Sequence, residues 1–424
     1  MAMALRNHLH TLIKSTLLRQ VANKCFWTNL EMGPPDAILG LTEAYKKDSN
    51  PKKVNVGAGA YRDDEGKPYV LPVVQTAEKL IMEKMMNHEY SPIAGPAEFC
   101  QKAAELALGA DNPVLSEGRY ATIQTISGTG SLRIGAAFIA AFHEGEKCVH
   151  LPKPTWGNHV PIFKHSGMDV KMYKYYDPEC ISFDFEGCCK DLSALPKRSV
   201  VLMHACAHNP TGVDPSKEQW DHLSELSKDK QFLVYMDMAY QGFASGDFDR
   251  DAYSVRKFVK DGNEIILSQS FAKNMGLYGE RIGALSVITD SKDSAAKVLS
   301  QLKILVRPMY SNPPIHGQRI ATEVLCDEKL KSQWEKEVKG MADRIIDVRK
   351  QLRQHLEDNG SKKKWNHITD QIGMFCYTGL KPEEVERLTK EYSIYLTKDG
   401  RISMAGVTSK NVEYLAKAIH EVTR

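Results

Sequence analysis

One amine closes the string SQSFAK. Lys273 follows the apolar run Ile265, Ile266, Leu267 and the small polar Ser270, and Arg281 comes eight residues later with Gly276 and Gly279 between them. Such a run, ending in small polar residues, predicts a buried strand that delivers its last side chains to the carboxyl edge of a sheet. Open α/β folds bind their ligands at that edge. A lysine near a fixed cation and away from bulk water holds its proton less tightly, which makes it a Schiff-base nucleophile. Taken alone, a loop lysine is simply exposed; the surrounding string sets this one apart.

Other residues stand at comparable places. Asp237 follows the run Phe232 to Met236 and precedes Tyr240 by three residues. A carboxylate at the end of a buried strand is costly unless paired, so it reads either as an acid facing a cation or as a helix cap. His204, closing another predicted strand, is a residue able to keep Asp237 ionised. Ser127, Gly128 and Thr129 follow the strand Ala121 to Thr125 and open a helix, where free N–H groups and the helix dipole make a phosphate cradle. An ordinary strand-to-helix turn would look the same. Arg133 stands where a dinucleotide fingerprint needs its third glycine, and the P-loop lysine is missing, so a phosphorylated group without a nucleotide fits better. Gly57 and Gly59 fail the dinucleotide spacing as well; Gly59 suits close backbone approach to a ligand, or a plain turn. Trp156, after Lys153-Pro154-Thr155, offers either a flat indole face or a core side chain. Asn209, in a Pro-Thr-Gly turn, points at a ligand or caps its own turn. Arg401 and Arg307 suit bidentate carboxylate binding, with surface salt bridges as the plainer use.

Residues 264–283 resemble the pyridoxal-phosphate attachment site of class I aminotransferases, and the resemblance runs from about Trp27 to the C-terminus. It implies a fold type I α/β architecture: a large domain (69–339) with a mostly parallel sheet flanked by helices, and a smaller α/β domain (340–424) joined by the arm 25–68. It implies pyridoxal 5'-phosphate as cofactor, attached to Lys273, which also carries the proton to and from the substrate. By the same resemblance Asp237 keeps the pyridine nitrogen protonated. Tyr240 and Asn209 reach the ring oxygen, Trp156 stacks on the ring, and Ser127, Gly128, Thr129, Ser270 and Arg281 hold the phosphate. Gly59, Trp156, Asn209 and Arg401 would face the substrate, Arg401 taking the α-carboxylate. Arg307 would take the side-chain carboxylate, and Tyr90 would reach the phosphate, each in the site of a neighbouring subunit, which implies a homodimer with shared sites. The implied reaction is reversible amino transfer between L-aspartate and 2-oxoglutarate, giving oxaloacetate and L-glutamate. Alternatives are an aromatic amino acid or kynurenine aminotransferase on the same scaffold, or a non-catalytic binding protein that keeps the fold. A nicotinamide-dependent dehydrogenase is disfavoured by the failed glycine spacings.

These side chains need a sheet to bring them to one edge. Strands are predicted at 147–151, 169–175, 199–205, 232–236 and 264–267, alternating with helices such as 217–228, and that alternation argues a largely parallel sheet. Met341, Ile345, Val348, Leu352 and Leu356 form a helical stripe leading to the smaller domain. Residues 393–406 predict a hairpin around the Asp399-Gly400 turn, with Arg401 emerging from it.

Composition bounds the rest. The chain has 424 residues, 42% hydrophobic and 26% charged, with a net charge of +3. That balance gives no basis for a nucleic-acid partner. No apolar run is long enough to cross a bilayer. Nine cysteines without a CxxC pair fit a reduced compartment. His204, Cys206 and His208 alternate but offer no fourth ligand, which weakens a zinc site. Residues 1–30 contain Arg6, Lys14, Arg19 and Lys24 and no acid, and removing those four charges leaves −1. Leu5, Leu9, Leu12, Ile13 and Leu17 recur at helical spacing, so residues 1–24 read as a mitochondrial transit peptide and the matrix as the destination.

Overall fold

A computed structural model describes residues 26–33 and 37–424. The predicted transit peptide, residues 1–24, lies outside the described residues. Residues 41–424 form one compact unit; within residues 26–33 the backbone makes a turn closed by Leu30 N donating to Trp27 O.

A seven-stranded sheet organises the compact unit. Its strands are β1 (Tyr120–Ile126), β2 (Cys148–Lys153), β3 (Asp169–Lys174), β4 (Val200–His204), β5 (Leu233–Met238), β6 (Ile265–Ser270) and β7 (Ile282–Ile288). Their spatial order is β1-β7-β6-β5-β4-β2-β3. Every neighbouring pair is parallel except those of β7, which runs antiparallel to both β1 and β6. The apolar run IGALSVI was not among the predicted strands, although its seven residues are all buried.

Alternation along the strands divides the core between the two faces. Val200, Leu202, Tyr235 and Ile266 face one cluster, which includes Leu132 of helix α1 (Ser127–Phe142) and Leu302 of helix α2 (Lys292–Met309). Val201, Met203, Val234, Met236 and Leu267 face the other. Strands buried on both sides read as continuous apolar runs, which is why most of them were legible in the sequence.

The 31-residue helix α3 (Glu328–Asp358) starts at Asp327, whose carboxylate accepts from Lys329 N and Leu330 N. Its buried stripe runs from Leu330 through Met341 and Ile345 to Leu356, and helix α4 (Val412–Thr423) packs on it. Two strands lie beside it, β8 (Phe375–Tyr377) and β9 (Arg401–Ser403), paired antiparallel. The predicted hairpin is corrected here. Its turn exists, with Gly400 N donating to Thr397 O and Thr397 N to Arg401 O, but beyond that bond the arms form no ladder with each other. Ile394–Tyr395 pairs in parallel with Val54–Asn55, and Arg401–Ser403 pairs with β8. Burial of both arms against different partners outweighs the local turn signal.

Candidate active site

The topology explains how residues far apart in sequence share one edge. The carboxyl ends of β1, β4, β5 and β6 deliver Ser127, His204, Asp237 and Ser270. Because β7 is antiparallel, its beginning lies at that same edge, so Arg281, just before Ile282, arrives there too. A cavity of about 170 Å³ opens at this edge. It is lined by Gly59, Ser127, Gly128, Thr129, Trp156, Asn209, Asp237, Tyr240, Ser270, Lys273 and Arg281 among others. Of the predicted residues, Arg401 stands next to the cavity rather than in its lining, and Tyr90 and Arg307 lie elsewhere.

One end of the cavity is built for an anion. Ser127 has φ 59° and its N–H donates to Arg281 O, which leaves the N–H groups of Gly128 and Thr129 without a carbonyl one turn earlier. The Ser127 and Ser270 hydroxyls are 3.2 Å apart. A Cβ on Gly128 would come within 3.2 Å of Ser270 Cβ, so the glycine keeps the helix start close to β6. Arg281 is anchored by donating Nη1–H to Tyr278 O at 2.8 Å. Beneath this cradle the Tyr235 hydroxyl donates to Ser131 O, at a spot where a Cβ on Gly135 would collide with it.

The opposite end is built for a cation. Asp237 is hydrogen-bonded to His159 Nε2 at 3.2 Å, and the donors along the chain behind it fix every tautomer. Asn209 N–H donates to His204 Nδ1 (3.3 Å), so His204 Nε2–H donates to the Thr155 hydroxyl (3.2 Å). Thr155 then donates to His159 Nδ1 (2.7 Å), and His159 Nε2–H donates to Asp237. Burial pushes His204 down to about 3, so it is neutral throughout the physiological range. Burial by itself would raise the Asp237 carboxyl, but the hydrogen bond from His159 and the charges around it hold it below its ordinary value. The expectation that His204 holds Asp237 is therefore corrected: His159 touches the carboxylate, and His204 reaches it only through Thr155 and His159, three hydrogen bonds away. His159 had no distinguishing signal in the sequence beyond standing three residues after Trp156, whose ring it meets edge-on at 5.3 Å.

Between these ends lies Lys273. Burial lowers its affinity for a proton, the Asp237 carboxylate raises it, and the Arg281 charge lowers it again; the net shift is downward. Its Nζ lies 5.3 Å from the centre of the Tyr240 ring. The turn that carries it is pinned by Trp334 of α3, whose indole donates to Asn274 O at 2.7 Å, and by Asn274 donating to Gln241 O. Burial pushes the Tyr240 hydroxyl well above its ordinary value, so it stays protonated.

The donor set fits pyridoxal phosphate. Free N–H groups, two hydroxyls and an arginine suit the phosphate; an ionised acid suits a protonated ring nitrogen; and a lysine with a weakened hold on its proton suits an aldehyde. Trp156 and Ala239 also line the cavity.

Next to the cavity, Arg401 is 5% exposed and incompletely satisfied. Nη2–H donates to Gly57 O at 3.0 Å, Nε has no partner, and the guanidinium lies 4.2 Å over the Phe375 ring. A Cβ on Gly59 would come within 3.2 Å of that ring, and Tyr240 meets it edge-on at 6.3 Å. Arg307 is the opposite case, exposed and donating to Ser311 Oγ (2.6 Å) and Asn312 Oδ1 (3.3 Å). Asn312 in turn donates to Ser91 O, next to Tyr90, which is 85% exposed. Thus Arg307 and Tyr90 share a surface patch, away from the cavity of their own chain.

Comparison with known proteins agrees with this geometry. The family model for aminotransferase class I and II matches residues 51–419. The mitochondrial aspartate aminotransferase of Gallus gallus is 59% identical over 399 residues, covering 94% of this chain and 94% of that protein. A mitochondrial aspartate aminotransferase from Trypanosoma brucei superposes with a TM-score of 0.87 at 42% identity, over 91% of this chain and all of that one. The aromatic-amino-acid aminotransferase of Burkholderia pseudomallei, solved covalently bound to pyridoxal phosphate, superposes with a TM-score of 0.92 at 40% identity, over 95% of this chain and all of that one. The chain belongs to the class I and II aminotransferase family.

Proposed function

We propose that this protein is an aspartate aminotransferase of the mitochondrial matrix, using pyridoxal 5'-phosphate for reversible amino transfer between L-aspartate and 2-oxoglutarate, with oxaloacetate and L-glutamate as products. The observation that carries this reading is Lys273, a buried amine whose hold on its proton is weakened, set between an ionised acid and an anion cradle. When bound, pyridoxal phosphate supplies an electron-withdrawing ring that takes up the charge left on Cα.

The protein residues then divide the work. Lys273 holds the cofactor, gives way to the substrate amine, and moves the proton at Cα as base and then acid. Asp237, held ionised by His159, faces the ring nitrogen. Ser127, Gly128, Thr129, Ser270 and Arg281 bind the phosphate; Tyr240 and Asn209 orient the ring oxygen; Trp156 covers the ring. Arg401, with an unpartnered N–H and a flat face on Phe375, takes the α-carboxylate, with Gly59 alongside.

For the second carboxylate we place Arg307 in the site of a second copy, with Tyr90 on that copy's phosphate. Their exposure and their link through Asn312 support this homodimer. We divide the chain into a transit peptide (1–24), an arm and part of the small domain (25–68), a large domain (69–339) and a small domain (340–424). The pairing of Val54–Asn55 with Ile394–Tyr395, and of Ser403 N with Val56 O, supports grouping the arm with the C-terminal residues.

The high structural similarity to an aromatic aminotransferase keeps one rival in play. Turnover of aspartate and phenylalanine by the purified protein separates the two. Aspartate is the preferred substrate if Arg307 completes the site, and a dominant phenylalanine rate overturns the reading.

A further inference from the structure

The long helix α3 carries a charge that nothing in the proposed reaction uses. Arg349 is 2% exposed, and its guanidinium is answered by backbone rather than by a carboxylate. Nη1–H donates to Ile368 O at 2.8 Å, and Nη2 donates to Gly373 O at 3.0 Å and to Phe375 O. Burying a guanidinium costs several kcal/mol unless its donors are matched; three carbonyls answer Nη1 and Nη2 here and only Nε is left without a partner, so the cation depends on those carbonyls staying in place. Those carbonyls belong to the segment 368–375, which ends in β8.

Two substrate-facing elements rest on that segment. Phe375, the first residue of β8, is the ring under Arg401, and Tyr377 pairs with Arg401 across the β8–β9 ladder. On the other side the segment meets the loop that carries Asn209. Ile372 N donates to Gly212 O at 2.8 Å, and Gly373, at φ 77°, is packed so closely that a Cβ there would come within 2.5 Å of Ala207 Cβ. A Cβ on Gly212 would come within 2.7 Å of Phe375 O, the oxygen that Arg349 holds.

We propose that Arg349 is a positioning residue for substrate carboxylate binding: by holding the carbonyls of Ile368, Gly373 and Phe375 it sets the Phe375 ring beneath Arg401 and fixes the Asn209 loop against the same segment. Its cation touches neither substrate nor cofactor. Removing it lets the platform under Arg401 shift while Lys273, Asp237 and the anion cradle, which lie on the other elements, keep their places. The inference rests on reading Arg401 as the α-carboxylate clamp.

The test uses holoenzyme and the unreactive dicarboxylate succinate, with binding followed by calorimetry. Arg349→Met is expected to keep its cofactor absorbance and to bind succinate about tenfold more weakly, since small misplacements of a clamp are felt strongly. KM for aspartate rises in parallel while kcat stays within about threefold of wild type, a split that general loosening would not produce. Arg349→Lys, which keeps the charge and some of the donors, is expected to recover most of the affinity. Unchanged succinate affinity in a folded, cofactor-bearing Arg349→Met protein overturns the proposal. So does a fall in kcat and cofactor retention with KM unmoved. Should Arg349→Met fail to fold, Arg349→Lys decides: affinity measurably below wild type supports the proposal, and affinity equal to wild type overturns it. Arg401→Met is measured alongside, because succinate binding that survives that change refutes the Arg401 reading instead.

Discussion

Arg401 and Arg307 present the same guanidinium in opposite surroundings. Arg401 is buried, stacked on Phe375 and short of a partner at Nε, so the carboxylate clamp proposed for it is built within one chain. Arg307 is exposed and already hydrogen-bonded to Ser311 and Asn312, on a patch it shares with Tyr90. The contrast extends to the whole site. The cofactor end draws its parts from four strand ends and the start of β7, whereas the end proposed for the distal carboxylate is an exposed surface waiting for a second copy. On the proposed reading, a single chain specifies the chemistry and association with a second copy would specify the substrate.

The largest effect is expected at the finished end. Lys273→Ala should lower amino transfer by about 10⁴-fold, the upper end of what a lost general acid–base group costs, while succinate binding persists. Single-turnover kinetics with aspartate checks this. Arg401→Met comes next, with kcat/KM down about 10²-fold for aspartate and glutamate alike, because a buried charge pair is removed at one partner.

Arg307→Gln should cost roughly 30-fold against dicarboxylic substrates and little against alanine. It also sharpens the contrast. Subunit exchange between the Lys273→Ala and Arg307→Gln proteins should raise activity well above that of either parent, up to roughly a quarter of wild type for random pairing. No recovery in verified mixed dimers would place Arg307 in its own chain's site.

The smallest effect belongs to His159→Phe, about tenfold in kcat/KM at neutral pH, the low end of what losing an outer-shell orienting partner costs. Its sign with pH is fixed. His159 helps hold the Asp237 carboxyl below its ordinary value, so losing it raises that value, and the acid limb of the rate profile moves to higher pH. The stability that ionised Asp237 contributes, present above the unfolded carboxyl value and lost as pH falls through the folded one, shrinks in the same variant.

Much of this was legible in the sequence because strands buried on both faces announce themselves as apolar runs, and the residues that end them are the ones a ligand meets. Ser127, Asp237, Ser270 and Lys273 are legible that way, and all four line the cavity at the sheet edge. Strand β7 is less legible because Gly283 and Ser286 interrupt the apolar run of IGALSVI, although all seven residues are buried. The 393–406 hairpin failed because turn chemistry fixes a reversal of the chain and says nothing about which strands flank it. His159 and Arg349 were out of reach for a common reason: each matters through a partner far away in sequence, a carboxylate 78 residues on in one case and loop carbonyls in the other. No local pattern marks such a residue.

The account rests on the identity of the lysine that binds the cofactor. Borohydride reduction of the purified holoenzyme, followed by peptide mass spectrometry, reads it directly. A single pyridoxyl group on Lys273 is the predicted result, and an adduct on another lysine, or none, would contradict it.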